Sequence, residues 1–281
     1  MRIDLGSARE GGAQGWAALD AATAGLEPPY AVLDLDALAA NAADLRRRAR
    51  GLPIRVSTKS LRSRPVLDAV LASDGFHGAL AYTLPEALWL AADTPERPGT
   101  ADVLLGYPTA HRGAIAELAR DEVLAGRVAL MVDSLEHLDL IDAVAPPASR
   151  ATIRVCLELD VSYDSRLVGF VGSRRSPVRT PAHAAELAAA IAERPGFRLV
   201  GLMGYEGQIS GVQDHPPGRP LYGALVRRVK ARSVAELRER RAAAVAAVRE
   251  VVELEFVNGG GTGSLESTAA DSSVTEVAAG S

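Results

Sequence analysis

The sequence predicts an α/β chain folded as a (β/α)8 TIM-type barrel, with a doubly wound open sheet as the alternative. Three observations carry this expectation. Short apolar runs are followed by amphipathic stretches eight times along the chain. Strict alternation of strand and helix implies a parallel sheet, because each return to the same sheet edge needs a crossover. The chain has 281 residues, a length that accommodates eight such units in one domain.

The elements follow in order. Trp16 to Ala24 is weakly amphipathic and ends before the Pro28-Pro29 break. Tyr30 to Asp34 reads as the first strand, and Asp36 caps a helix with Leu38, Ala42, Leu45 and Ala49 on one face. Ile54 to Thr58 is the second strand and Ser63 to Ser73 its helix. Gly78 to Tyr82, Val103 to Leu105 and Val128 to Val132 are the next three strands. Their helices run over Leu84 to Ala92, Ala110 to Arg120 and Ser134 to Val144. Thr152 to Leu159 alternates as a sixth strand, and a longer loop, Asp160 to Thr180, leads to a helix at Pro181 to Ala192. Leu199 to Tyr205 is the seventh strand. Leu221 to Val252 is helical with a break near Ser233, and Phe256 to Asn258 is the eighth strand.

Composition excludes several classes. The chain is 48% hydrophobic and 23% charged, the balance of a globular protein. Its net charge of -4 gives no general grip on nucleic acid. The one cysteine, Cys156, permits no internal disulfide and suits a reducing compartment. Without a signal-type apolar core at the N-terminus or a membrane-length apolar run, a cytoplasmic protein is the expectation. Among 31 basic residues only Lys59 and Lys230 are lysines, which leaves 29 arginines. Where arginine has been so consistently used, each surviving lysine is a candidate for a role as an amine nucleophile, which arginine cannot fill, and Lys230, in a helical stretch between charged neighbours, has no comparable claim.

Three features fall at the C-terminal ends of predicted strands, where barrels of this kind place their chemistry. Lys59 follows the second strand in Ser57-Thr58-Lys59-Ser60. Gly204-Tyr205-Glu206-Gly207 ends the seventh. Gly259-Gly260-Gly261-Thr262-Gly263-Ser264 follows the eighth and has the composition of a phosphate cradle, in which successive N–H groups converge on an anion. The run has neither the lysine of a P-loop nor the spacing of a dinucleotide fingerprint. A cradle together with a strand-end lysine points to pyridoxal phosphate, whose aldehyde condenses with an amine. Cys156, between strand neighbours on the opposite face, reads as a small buried hydrophobe. Arg46-Arg47-Arg48 and Arg238 to Arg241 read as solvated helix faces, and Asp34 as a helix cap or a functional carboxylate.

These residues resemble a known family. Pro29-Tyr30-Ala31-Val32-Leu33-Asp34 with Leu38 and Asn41, and Arg55-Val56-Ser57-Thr58-Lys59-Ser60, are similar to the alanine racemase-like N-terminal barrel of fold-type III pyridoxal phosphate enzymes. Gly106-Tyr107-Pro108-Thr109, Arg175-Ser176-Pro177-Val178, Gly201 to Gly207 and Phe256 to Ser264 resemble the D-threonine aldolase and D-serine dehydratase branch. Within that branch they resemble proteins labelled amino acid deaminase/aldolase. The resemblance implies a Schiff base on Lys59, a phosphate site at Gly260, Gly261, Thr262 and Gly263, and Tyr205 against the cofactor. It also implies an arginine on the cofactor's phenolic oxygen or ring nitrogen, for which Arg166 is the nearest match and Arg174 or Arg175 the alternatives.

The implied organisation is an N-terminal extension over 1–27, the cofactor-binding barrel over 28–270, and the start of a C-terminal β domain over 271–281. The rest of that domain would lie beyond the chain. The resemblance implies a homodimer and a divalent metal only in a full-length form. The five histidines, His77, His111, His137, His183 and His215, lack ligand spacing, so no metal site is expected in this chain. The expected function is a pyridoxal phosphate-dependent lyase, an aldolase or deaminase, acting on small D-configured β-hydroxy amino acids. An amino acid racemase and a non-catalytic pyridoxal phosphate-binding barrel are the alternatives, and the truncated chain is expected to be weakly active or inactive.

Overall fold

A computed structural model of the chain describes residues 3, 5, 15–165, 169–211, 218 and 220–280. In chain order the elements are α1 (Trp16–Thr23), α2 (Leu35–Arg48), β1 (Ile54–Ser57), α3 (Arg64–Leu71), β2 (Phe76–Ala81), α4 (Leu84–Ala91) and β3 (Val103–Leu105). They continue with α5 (Arg112–Arg120), α6 (Glu122–Arg127), β4 (Val128–Val132), α7 (Leu135–Val144) and β5 (Ile153–Glu158). The later elements are β6 (Tyr163–Ser165), β7 (Gly169–Val171), α8 (Pro181–Glu193), β8 (Phe197–Gly204), α9 (Gly207–Ser210), α10 (Pro220–Arg249), β9 (Phe256–Gly259), α11 (Leu265–Ala269) and β10 (Glu276–Ala279). Eight of the strands form a closed parallel barrel in the order β1-β10-β9-β8-β5-β4-β3-β2, while β6 and β7 make a separate antiparallel hairpin. The predicted (β/α)8 barrel is therefore the fold.

One strand was expected in the wrong place. Tyr30 to Asp34 has no regular secondary structure and pairs with no strand among the described residues, and Tyr30, Val32 and Leu33 stay 41–50% exposed. The eighth barrel position is taken instead by β10, at residues expected to open a second domain. Glu276 to Ala279 pair with β9 on one side and β1 on the other, and all four are buried. The barrel thus extends past residue 270. Two smaller differences have local causes. Asp34, not Asp36, caps α2, accepting from the Ala37 N–H at 2.9 Å. Helix α10 runs unbroken through Ser233, whose hydroxyl is buried and accepts a bond from Gln208.

Two apolar shells hold the barrel. Outward-facing Val155, Leu157, Val257 and Leu202 pack under the helices, and inward-facing Leu104, Met131, Cys156, Met203 and Phe256 fill the interior. Charge fills the N-terminal end of the barrel. Arg55 on β1 is fully buried, donating to Glu276 at 2.7 and 3.0 Å and to Asp102 at 2.7 Å, with its guanidinium over the Phe256 ring. Arg154 adds contacts to Asp102 and Glu255. Burial alone would raise the Asp102 carboxyl, yet the His77 hydrogen bond and the Arg55 charge hold it well below the usual carboxylate range. Buried charges persist only when paired in this way.

Candidate active site

At the opposite, C-terminal end of the strands, the ends of several strands and the loops after them face one cleft of about 230 Å³. The first is the end of β1. The Thr58 N–H bonds the Leu80 carbonyl at 3.0 Å, which prolongs pairing with β2 and fixes the chain where Lys59 leaves the barrel. Lys59 is exposed and lines the cleft. Its carbonyl accepts from Arg62 Nε at 3.2 Å.

The glycine turn after β9 forms the facing wall. Gly260 adopts φ +91°, the left-handed region in which a glycine is unstrained. The chain then reverses, with the Ser264 N–H on the Gly261 carbonyl at 3.0 Å and the Gly261 N–H on Ser264 Oγ at 3.1 Å. Gly260, Gly261, Thr262 and Gly263 all line the cleft. A Cβ on Gly263 would stand 2.4 Å from the Ser210 carbonyl oxygen, and one on Gly261 3.2 Å from the Tyr205 ring. The wall therefore presents backbone where a side chain would not fit.

Tyr205, at the end of β8, is the third side of the cleft, with its hydroxyl 3.1 Å from Ser210 Oγ. Ala279 and Gly280, at the end of β10, supply the floor beside Ser57. The Gly280 N–H donates to Thr262 Oγ1 at 3.4 Å, so the closing strand also touches the glycine turn.

Arg166 lies outside the described residues, so its expected contact with the cofactor has no structural counterpart here. Of the two alternatives, Arg174 turns away to the Phe170 carbonyl. Arg175 enters the cleft, with its guanidinium 4.4 Å from the Tyr107 ring centroid and Nη2 2.6 Å from Glu158. Glu158 faces into the barrel below. Burial pushes its carboxyl up to about 7, and Arg175 offsets only part of that because Asp133 and Asp160 add negative charge nearby.

Two arginine groups read as solvated faces turn out to be partly internal. Arg48 ties α2 to Glu266 at 2.7 Å and to the Thr262 carbonyl of the glycine turn. Arg241 is buried against Glu206. The helical spacing of these arginines carried no signal of this, because their partners lie up to 218 residues away in sequence. Cys156 is buried inside the barrel, and burial pushes its thiol well above the ordinary range, as its strand position predicted. Three histidines serve local structure: His111 caps α5 through Nδ1, His77 pairs with Asp102, and His137 pairs with Asp133. His215 lies outside the described residues. Among the described residues no group of three or more His, Cys, Asp or Glu is arranged to hold a metal, and no helix is long and apolar enough to cross a membrane.

Fold and cleft together define a parallel (β/α)8 barrel with a lysine and a glycine turn opposed at its C-terminal end. The chain belongs to the alanine racemase N-terminal domain family of fold-type III pyridoxal phosphate enzymes, with a match over residues 33–280. It is 26% identical over 241 residues to a 3-hydroxy-D-aspartate aldolase of Paracoccus denitrificans (strain Pd 1222), covering 85% of this chain and 55% of that protein. A D-threo-3-hydroxyaspartate dehydratase from Delftia sp. HT23 superposes with a TM-score of 0.65 at 26% identity, over 91% of this chain and 61% of that one. A D-threonine aldolase from Filomicrobium marinum shares the fold with a TM-score of 0.68 at 23% identity, over 91% and 62%. The chain thus spans about half the length of the curated relative.

Proposed function

We propose that this chain is the cofactor-binding barrel of a pyridoxal phosphate-dependent lyase acting on D-configured β-hydroxy amino acids. The observation that carries the reading is that Lys59, one of two lysines in the chain, opens onto the same cleft as the glycine turn. The residues present fit the cofactor: an amine on one side, and on the other a turn whose close approach to Ser210 and Tyr205 leaves room only for backbone. Bound pyridoxal phosphate supplies an aldehyde that condenses with an amine and a ring that draws electrons from the bonds at Cα.

The chain's own residues then have separate tasks. Lys59 would hold the cofactor through its amine and would stand beside Cα as a base. Thr262 and Gly263 take the phosphate. Tyr205 and Tyr107 line the cleft and would shield a bound cofactor from water. Arg175, held by Glu158, places a fixed positive charge at the cleft. The choice of a D-hydroxy amino acid as substrate is supported by the aldolase and dehydratase relatives.

The test is chemical trapping. Borohydride reduction of the protein mixed with pyridoxal phosphate is expected to leave the cofactor on the peptide that contains Lys59, read by mass spectrometry. Lys59→Ala is expected to lose both that adduct and the visible absorbance of the mixture. An adduct on another residue, or an unchanged spectrum in the variant, refutes the reading.

A further inference from the structure

One buried group touches the glycine turn from behind and takes no part in the chemistry above. Glu206 follows Tyr205, and its carboxylate is 1% exposed. Oε2 accepts the Gly260 N–H at 2.6 Å, and Oε1 accepts from Arg241 Nη2 and from Thr268 Oγ1, the latter at 3.2 Å. Arg241, on α10, is equally buried, and its other guanidinium arm reaches to 3.5 Å from Asp271. Thr268 Oγ1 also lies 3.0 Å from the Ser264 carbonyl at the far end of the turn, so its single proton is shared between that oxygen and Glu206. Glu206 therefore grips the glycine turn at Gly260 directly and at Ser264 through Thr268. Through its own backbone it also anchors α9, whose Ser210 packs against Gly263.

This arrangement has a cost that a purely structural brace would avoid. A carboxylate close behind an anion site repels the anion unless its charge is cancelled. Arg241 offsets it at contact distance while also serving the more distant Asp271, so the turn gains a strong acceptor for Gly260 whose charge is paired directly. The Gly260 N–H is consequently directed at Glu206 and not into the cleft.

We infer that Glu206 is a positioning residue for the phosphate end of the cofactor. It fixes the path of residues 260 to 264, with Arg241 as its counter-charge and Thr268 as its link to α11. The inference rests on the proposed cofactor site and deepens it. Glutamine at this position has a single acceptor oxygen, so it can serve Gly260 or Arg241 and not both. The turn then loses one charge-assisted bond, and the effect falls on the phosphate and not on the aldehyde.

The experiment compares pyridoxal phosphate with pyridoxal, which has the aldehyde and no phosphate. Dissociation constants for both are taken from the absorbance change on mixing, for wild type, Glu206→Gln and Thr268→Val. Circular dichroism and thermal melts confirm that each variant is folded. Glu206→Gln is expected to weaken pyridoxal phosphate by about tenfold, the weight of one charge-assisted hydrogen bond, and to leave pyridoxal unchanged. Thr268→Val, which strands no charge, is expected to shift the same ratio by about threefold and decides the matter if the glutamine variant does not fold. A folded variant that keeps the wild-type ratio, or that weakens both compounds equally, overturns the inference. Failure of the wild type to condense with either compound overturns the cofactor reading beneath it.

Discussion

Replacing Glu158 by Gln isolates what burial does to a carboxyl at the mouth of the barrel. Its side chain is almost fully buried on β5, and one oxygen meets Arg175 at 2.6 Å while Oε2 has no partner. Burial raises its carboxyl from an ordinary 4.5 to about 7. In this interval the folded chain keeps a proton that the unfolded chain has released. Stability is therefore fully present below 4.5 and lost as the pH rises through 7. At about 1.4 kcal/mol for each tenfold difference in proton affinity, the gap is worth about 3 kcal/mol. Glutamine keeps the shape and an acceptor for Arg175 and has no proton to lose. Urea denaturation of both proteins at intervals from pH 4.5 to 8.5 gives the difference directly, since every other titrating group is shared. Wild type is expected to lose about 3 kcal/mol relative to the variant across that range. If wild type instead gains on the variant with rising pH, the Arg175 charge outweighs burial and the reasoning fails.

Two further substitutions probe opposite ends of the barrel. Arg55→Met strands Glu276 and Asp102 without their shared partner and is expected to destabilise the chain by about 3–5 kcal/mol in urea, with partial recovery when Glu276→Leu is added. Gly263→Ala drives a methyl group to 2.4 Å from the Ser210 carbonyl; it is expected to cost about 1–3 kcal/mol by denaturation. The same variant is expected to weaken pyridoxal phosphate more than pyridoxal in a spectroscopic titration.

Most of the barrel was legible because its strands are short apolar runs bounded by caps and glycines, as in Val128 to Val132 and Ile153 to Glu158. Two segments misled for complementary reasons. Tyr30 to Leu33 has the composition of a strand, and only the absence of a barrel neighbour leaves it unpaired. Glu276-Val277-Ala278-Ala279 has too little bulk and a charge at its head, and it is a core strand because Arg55 receives that charge. The candidate site was legible wherever a rare residue type or a glycine run marked it, as at Lys59 and Gly259 to Gly263. Glu206, Arg241 and Arg48 gave no such mark. An arginine on a helix has the same local pattern whether it meets water or a carboxylate brought in from a distant strand.

The pairing of Arg55 with Glu276 also sets an order of events in the life of the chain. The two residues are separated by 221 positions. At a synthesis rate of roughly 5–20 residues per second, Glu276 follows Arg55 by on the order of 10 to 40 seconds. During that time β1 has one neighbour, β2, and its other edge is open. Its arginine can pair with Asp102 once that residue has been made, and gains its second carboxylate only when Glu276 arrives. A charge buried in the finished barrel is thus only partly paired while the β1 edge stands open, which disfavours pairing of that edge with another chain.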